Sequence, residues 1–335
     1  MRKSNRLKTL LIGTAALILL AGCGNKESVS NSNENKEKSK TEKIKVVTTF
    51  YPMYEFTKQI AGDAADVELL IPSTMEPHDW EPTPKDMGNI QNASLFIYNS
   101  EYMETWAADI KKSIGDSKVK FIEASKGISL ADGEEEEHEH EEEHEHEEDG
   151  HEHEEESHEH SHAKDPHVWL SPALAQKEVA TITDALISVD PANKKAYEQN
   201  SAAYIEDLKE LDHNYRTALQ NVAKKELITQ HAAFHYLTNE YGMVQVPIAG
   251  LSPDEEPSAQ KLAELKKFAK EHEVKVIYFE ELASPKIAKT LASEIGAKTE
   301  VLSTLEGLSE EDQKKGLDYI GVMENNLEKL VENQK

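Results

Sequence analysis

The residues best suited to chemistry are histidines, and nine of the fifteen lie in one acidic segment, residues 134–162. This segment, called the His/Glu tract below, also holds sixteen Glu and one Asp but no Lys or Arg. Imidazole and carboxylate groups are good ligands for borderline divalent metals, so a tract of this composition predicts metal binding. Its like charges repel, which predicts a solvated, disordered loop, and a merely solubilising insertion is the alternative. The nine residues are His138, His140, His144, His146, His151, His153, His158, His160 and His162.

Three of the other six histidines lie just after a predicted strand or in the connection between a strand and a helix: His78, His167 and His231. Strand ends are where a parallel sheet carries its functional loops. Each of these residues alone could be an ordinary hydrogen-bonded polar residue, but three of them beside the His/Glu tract favour one shared metal site. His213 and His272 are predicted to lie on helix surfaces.

His235 stands four residues after His231, but Ala232 occupies the place of the Glu that the zinc-protease helix motif requires. The spacing therefore does not indicate a metalloprotease. An accessory contact of His235 with the metal is an alternative, but its position favours a place on the helix surface.

Strand and helix patterns alternate on both sides of one long helical segment, residues 191–222. Alternation of this kind predicts parallel α/β sheets flanked by helices. A helix of this length would span about 48 Å, enough to connect two lobes. A coiled coil is the rival interpretation, but the apolar stripe is aromatic and mixed and keeps no heptad. The predicted division is an N-terminal lobe at 44–190, the long helix, and a C-terminal lobe at 223–335.

The N-terminus has the pattern of a secretory signal, with a basic start and a short apolar run before Cys23, the single cysteine. The sequence Leu-Ala-Gly-Cys at 20–23 resembles a bacterial lipobox. We therefore predict a signal peptide at 1–22, a lipid anchor on Cys23 and a flexible tether at 23–43. A plain signal peptide with a free thiol is the alternative.

The net charge is −27, and the chain stays acidic outside the His/Glu tract. Nucleic acid is not an expected partner, because binding to phosphates needs a basic surface.

Six segments together resemble the metal-binding lipoproteins of bacterial zinc ABC importers, the ZnuA/AdcA type of solute-binding protein. They are VTTFYP at 47–52, EPHDWEP at 76–82, the His/Glu tract, DPHVWL at 165–170, QHAAF at 230–234 and GLSP at 250–253. The resemblance covers essentially the whole chain after the signal. It implies two α/β lobes joined by one long rigid helix, with the metal between the lobes.

The resemblance implies His78 and His167 as metal ligands from the first lobe and His231 from the second. The fourth ligand is an acidic residue after the last strand, which nominates Glu306. From the sequence alone Glu280, which also ends a strand, is an alternative ligand. Three imidazoles and one carboxylate suit tetrahedral Zn²⁺, whereas Mn²⁺ prefers more oxygen ligands.

The function that follows is capture of Zn²⁺ outside the cytoplasmic membrane and its delivery to an ABC permease driven by a cytoplasmic ATPase. A monomer held by its lipid anchor is expected. The alternatives are a manganese receptor, a surface metal buffer or adhesin, and a zinc hydrolase. Four protein ligands argue against the hydrolase, because catalytic zinc keeps one position for water.

Overall fold

The computed structural model describes residues 43–115, 117–133 and 163–334. The predicted signal peptide at 1–22, Cys23, nearly all of the predicted tether at 23–43, and the nine histidines of the His/Glu tract lie outside the described residues.

The N-terminal lobe is a four-stranded parallel sheet in the order β2-β1-β3-β4. Its strands are rich in β-branched and aromatic residues, as suits strands covered on both faces. Thr83 caps α2 by accepting a hydrogen bond from the Asp86 backbone N–H, and Pro84 takes the first helical position, as predicted. The elements are β1 (Ile44–Thr48), α1 (Tyr51–Ala61), β2 (Ala65–Leu69), α2 (Pro84–Gln91), β3 (Leu95–Tyr98), α3 (Ala107–Ser113), β4 (Lys120–Glu123) and α4 (Pro172–Val189).

The C-terminal lobe repeats this arrangement, with the parallel strand order β6-β5-β7-β8. Its elements are β5 (Glu226–Thr229), α6 (His235–Glu240), β6 (Val244–Pro247), α7 (Ala259–Glu271), β7 (Val276–Phe279), α8 (Lys286–Ile295), β8 (Lys298–Val301), α9 (Glu310–Lys315) and α10 (Tyr319–Asn333). The prediction of two parallel sheets flanked by helices is confirmed. The short helix α9 was not predicted.

The long helix between the lobes, α5 (Lys194–Leu219), has 26 residues and follows a 3₁₀ turn at Pro191–Asn193. It ends three residues before the predicted limit of 222. The chain leaves the helix there, and the backbone N–H groups of Ala223 and Lys224 donate to the carbonyl of Gln334 beyond α10.

One hydrophobic core runs through both lobes along α5. Tyr204 of α5 packs against Phe56 of α1, at 6.1 Å between ring centroids. Near the other end of the helix, the Tyr215 hydroxyl donates to the Met323 carbonyl of α10 at 2.6 Å. Two smaller clusters fill the outer faces of the two sheets. Movement of one lobe against the other would therefore disturb packed side chains, and such interiors resist deformation.

Within the described ranges, no helix combines the length and the apolar character needed to cross a membrane.

Candidate metal centre

Four side chains from four loops meet between the two sheets: His78, His167, His231 and Glu306. His78 follows β2, His167 precedes α4, His231 follows β5 and Glu306 follows β8. Three of these loops start at the carboxyl ends of parallel strands, where such sheets place binding groups. Two ligand candidates come from each lobe, so the site is complete only when the lobes meet.

The donor atoms lie at the spacing of a tetrahedral metal site. Glu306 Oε1 is 3.2 Å from His78 Nε2 and 3.4 Å from the Nε2 atoms of His167 and His231. His167 Nε2 is 3.3 Å from the Nε2 atoms of His78 and His231. A tetrahedron with bonds of about 2.0–2.1 Å has edges of about 3.3–3.4 Å, so these distances leave room for one Zn²⁺ among the four atoms.

The site is closed to solvent on nearly all sides. The His167 and His231 side chains are 0% exposed and that of Glu306 is 2% exposed, whereas the His78 side chain is 9% exposed. A metal ion would therefore enter or leave past His78, whose loop is the least covered of the four.

Two buried carboxylates stand behind the histidines. The far ring nitrogen of His167, Nδ1, is 2.7 Å from Asp165 Oδ1, which also accepts the His167 backbone N–H at 2.9 Å. His231 Nδ1 is 2.9 Å from Glu280 Oε1, in an ionic contact that lies off the line of a well-directed hydrogen bond. A carboxylate at Nδ1 fixes the ring orientation and keeps Nε2 free for a metal.

The charges around the four residues govern their protonation. Burial by itself lowers the pKa of His231, but the charges of Glu280 and Glu306 outweigh it and raise this pKa well above its usual value. For His167, burial again lowers the pKa, and hydrogen bonds to Asp165 and Glu306 outweigh burial and raise it. Burial would raise the pKa of Glu306, but the charges of His78 and His231 and hydrogen bonds from His167 and His231 hold it well below the usual range. The site therefore holds protons that an incoming cation must displace.

The loop that carries Glu306 is held in a strained, tightly packed conformation. Leu305, a fully buried residue, has φ +55°, in the left-handed region that costs free energy for a residue with a Cβ. At Gly307, a Cβ atom would lie 2.1 Å from the Ser73 carbonyl oxygen of the other lobe. Only glycine allows this approach, which brings Glu306 to the histidines.

Further hydrogen bonds join the lobes around the site. The Trp169 indole N–H, two residues after His167, donates to the Thr304 carbonyl at 2.8 Å. The Leu308 backbone N–H donates to the Ser73 carbonyl at 2.8 Å. These bonds involve the loops on which the donor atoms lie, so the geometry of the site depends on contact between the lobes.

The four residues nominated as ligands lie together, and the alternatives lie elsewhere. Glu280 faces the far nitrogen of His231 and is not one of the four converging groups. His235 is exposed at the start of α6, His213 is exposed on α5, and His272 pairs with Glu226 at 3.2 Å on the surface. Asp165 was not predicted to have a role, although its place two residues before His167 was a signal that could have indicated one.

A second acidic group lies nearby and consists of Glu76, Asp79 and Asp254. It is partly or fully exposed and contains no histidine. Exposed carboxylates of this kind are common on acidic proteins, and nothing further among the described residues indicates a ligand for them.

Comparison with known proteins identifies the family. The family described as ZnuA, "Zinc-uptake complex component A periplasmic", matches residues 46–333. The chain is 60% identical over 321 residues to the high-affinity zinc uptake system protein ZnuA of Bacillus subtilis, a match that covers 96% of this chain and 95% of that protein. It is 47% identical over 322 residues to the zinc-binding lipoprotein AdcA of Streptococcus pneumoniae, covering 96% of this chain but only 60% of AdcA.

Among solved structures, the Zn(II)-bound ZnuA-like domain of Streptococcus pneumoniae AdcA superposes with a TM-score of 0.72 at 45% identity. The superposition covers 88% of this chain and 99% of that domain. The family match spans both lobes and all four converging residues, and the relative from Bacillus subtilis matches along nearly its whole length. The chain belongs to the ZnuA family.

Proposed function

We propose that this protein is the extracytoplasmic zinc receptor of an ABC importer. In this proposal His78, His167, His231 and Glu306 bind one Zn²⁺ ion between the lobes, and the protein delivers the ion to a membrane permease driven by a cytoplasmic ATPase. The observation that carries the proposal is the tetrahedral spacing of three imidazole nitrogens and one carboxylate oxygen in a buried site. The names of the relatives from Bacillus subtilis and Streptococcus pneumoniae support zinc as the ligand.

The donor set favours binding over catalysis. Four protein donors fill the four positions of tetrahedral zinc, and no position remains for the water that a hydrolase activates. The single carboxylate among the donors also favours Zn²⁺ over Mn²⁺, which binds best to oxygen-rich sites.

Release of zinc on this proposal needs only a small parting of the lobes around the metal site. The continuous core along α5 opposes a wide hinge motion, whereas His78 lies on the least covered loop. Docking of the receptor on its permease would displace this loop and remove one ligand. Loss of one of four ligands weakens the site enough for the ion to transfer.

The proposal also gives roles to Cys23, the tether and the His/Glu tract. Cys23 would carry the lipid that holds a monomeric receptor at the outer face of the membrane, through a tether at 23–43. The His/Glu tract would bind zinc weakly and raise its concentration near the buried site. Deletion of 134–162 should then leave tight binding intact and impair uptake mainly when zinc is scarce.

The test is a zinc titration of the soluble chain from Gly24 onward, beside a version without 134–162. One tightly bound Zn²⁺ in both proteins, lost in His231→Ala and retained in the matched control His235→Ala, is the expected result. His235 is exposed and stands outside the four-residue group, so it controls for the loss of a nearby imidazole. Loss of all tight binding with the tract would refute the four-residue site.

A further inference from the structure

The Tyr236 hydroxyl connects the C-terminal lobe to two backbone groups of the N-terminal lobe. Tyr236 lies in the first turn of α6 and is buried. Its hydroxyl donates to the Asp165 carbonyl at 2.7 Å and accepts the Ala131 backbone N–H at 2.9 Å. A single oxygen atom thus joins three chain segments.

The two segments bound by Tyr236 form a short antiparallel ladder. The Asp165 N–H donates to the Ala131 carbonyl at 3.0 Å, and the Gly133 N–H donates to the Ala163 carbonyl at 2.8 Å. Asp132 and Lys164 form an ion pair across the ladder. The next hydrogen bond of the ladder would join the Ala131 N–H to the Asp165 carbonyl. The Tyr236 hydroxyl bridges these two groups instead, because it accepts from the first and donates to the second.

The same ladder supports a metal-binding histidine. Asp165 belongs to it by its backbone, while its side chain accepts both the ring and the backbone N–H of His167. Tyr236 comes five residues after His231 in the other lobe. The Tyr236 hydroxyl therefore connects the segment that follows His231 to Asp165, the residue that supports His167.

We propose that Tyr236 is a positioning residue that keeps the two lobes closed around bound zinc and so sets the rate of zinc release. This inference rests on the zinc-binding function proposed above. Tyr236 does not touch the metal-binding atoms, and its bonds form only where the lobes meet. Its loss should therefore accelerate dissociation and leave association and the ligand set unchanged.

The size of the effect follows from the two backbone groups that Tyr236 satisfies. Without the hydroxyl, the Ala131 N–H and the Asp165 carbonyl lose this partner in the closed state and regain water when the lobes part. Loss of this partner at a partly buried N–H and a buried carbonyl favours the open state enough to speed release about tenfold.

The experiment measures zinc release from Tyr236→Phe, which removes one oxygen and keeps the ring. An excess of a chromophoric chelator captures the released zinc, and the rate that no longer depends on chelator concentration is the dissociation rate. Tyr241→Phe is the matched control, because the buried Tyr241 donates to Asp212 of α5 and touches neither the ladder nor the site. Co²⁺ absorption spectra of each variant report whether the four-ligand set is intact.

We expect about tenfold faster release from Tyr236→Phe, the wild-type rate from Tyr241→Phe, and unchanged Co²⁺ spectra and association rates. Wild-type release from Tyr236→Phe, equal acceleration in both variants, or an altered Co²⁺ spectrum in Tyr236→Phe would each overturn the inference. A wild-type protein that binds no zinc would instead refute the proposed function.

A measurement on the wild-type protein keeps the inference testable even if Tyr236→Phe fails to fold. Hydrogen exchange at the Ala131 amide should slow when zinc is added, because zinc keeps the lobes closed and the amide bonded to Tyr236. Equal exchange with and without zinc would show that this bond is not coupled to the metal.

Discussion

Zinc binding should release about two protons from the site at neutral pH, because metal ligands must be deprotonated. The pKa values of His167 and His231 are raised, and both rings point Nε2 at the position for the ion. Three buried carboxyl groups, those of Asp165, Glu280 and Glu306, surround these two rings. Two protonated imidazoles carry the same charge as one Zn²⁺, so exchange of two protons for one ion keeps the charge of the buried cluster constant.

This exchange sets the pH dependence of zinc affinity. Below the raised pKa values of His167 and His231, each displaced proton changes the apparent affinity about tenfold per pH unit. Two protons give a rise of about a hundredfold per pH unit in this window. Affinity therefore increases with pH, and acidification weakens binding because protons compete for Nε2 while the low pKa of Glu306 keeps its carboxylate ionised.

The assay is titration calorimetry in buffers with different ionisation enthalpies. The slope of the observed enthalpy against the buffer enthalpy gives the number of protons released. Glu280→Gln removes a carboxylate that holds the proton on His231 and should lower the number to about one. Glu226→Gln is the matched control, because Glu226 pairs with the exposed His272 outside the site. Release of no protons by the wild-type protein, or equal release by it and Glu280→Gln, would refute the reasoning from charge.

Three further changes test other parts of the structure. Asp165→Asn removes the charge behind His167 and should weaken zinc binding about 10- to 100-fold in a chelator competition assay. Glu178→Gln should raise the free energy of unfolding, more at pH 8 than at pH 5 in urea titrations. Burial and the nearby Glu104 raise the Glu178 pKa. The stability that the protonated Glu178 side chain contributes is therefore lost as pH rises above the usual carboxyl pKa. Neither Glu178 carboxyl oxygen has a hydrogen-bond partner among the described residues. Gly307→Ala should lower both zinc affinity and the thermal midpoint, because its Cβ would collide with the Ser73 carbonyl.

Each of these changes has its own contrary outcome. Asp190→Asn is the control for Asp165→Asn, because the Asp190 carboxylate bonds to Tyr197 away from the site. If both variants bind zinc with equal affinity, Asp165 does not support His167. An equal effect of Glu178→Gln at pH 5 and pH 8 would show that Glu178 does not titrate differently on folding. Wild-type affinity in Gly307→Ala would show that the lobes tolerate a wider separation at this point.

The sequence contained enough information to predict the architecture and to nominate the four converging residues. Strands rich in β-branched residues alternate with helices that have clear caps, such as Thr83 and Ser258, so local pattern and tertiary structure agree. The three histidines stand out because His78 and His231 follow strands, His167 comes shortly before a helix, and each lies in a distinctive motif. The nomination of Glu306 depended on the family resemblance, because Glu280 also ends a strand and spacing could not separate the two.

Other parts of the site arise only from three-dimensional packing. Glu280 faces His231 Nδ1 because β5 and β7 are hydrogen-bonded neighbours, which the order of strands along the chain does not reveal. The positive φ of Leu305 is imposed on a residue type that rarely adopts it, so no local pattern predicts it. The bridge made by Tyr236 joins residues more than 70 positions apart and leaves no periodic signal.

Because one hydrophobic core passes through both lobes along α5, we expect the two lobes to fold only together. A gene cut within α5 would yield two fragments, each with a complete sheet but with half of a shared interior exposed to water. Neither fragment should fold alone, and each would hold only two of the four converging residues. We expect the two fragments to regain zinc binding only when they are mixed, so that reassembly of the interior and recovery of the metal site can be followed as one event.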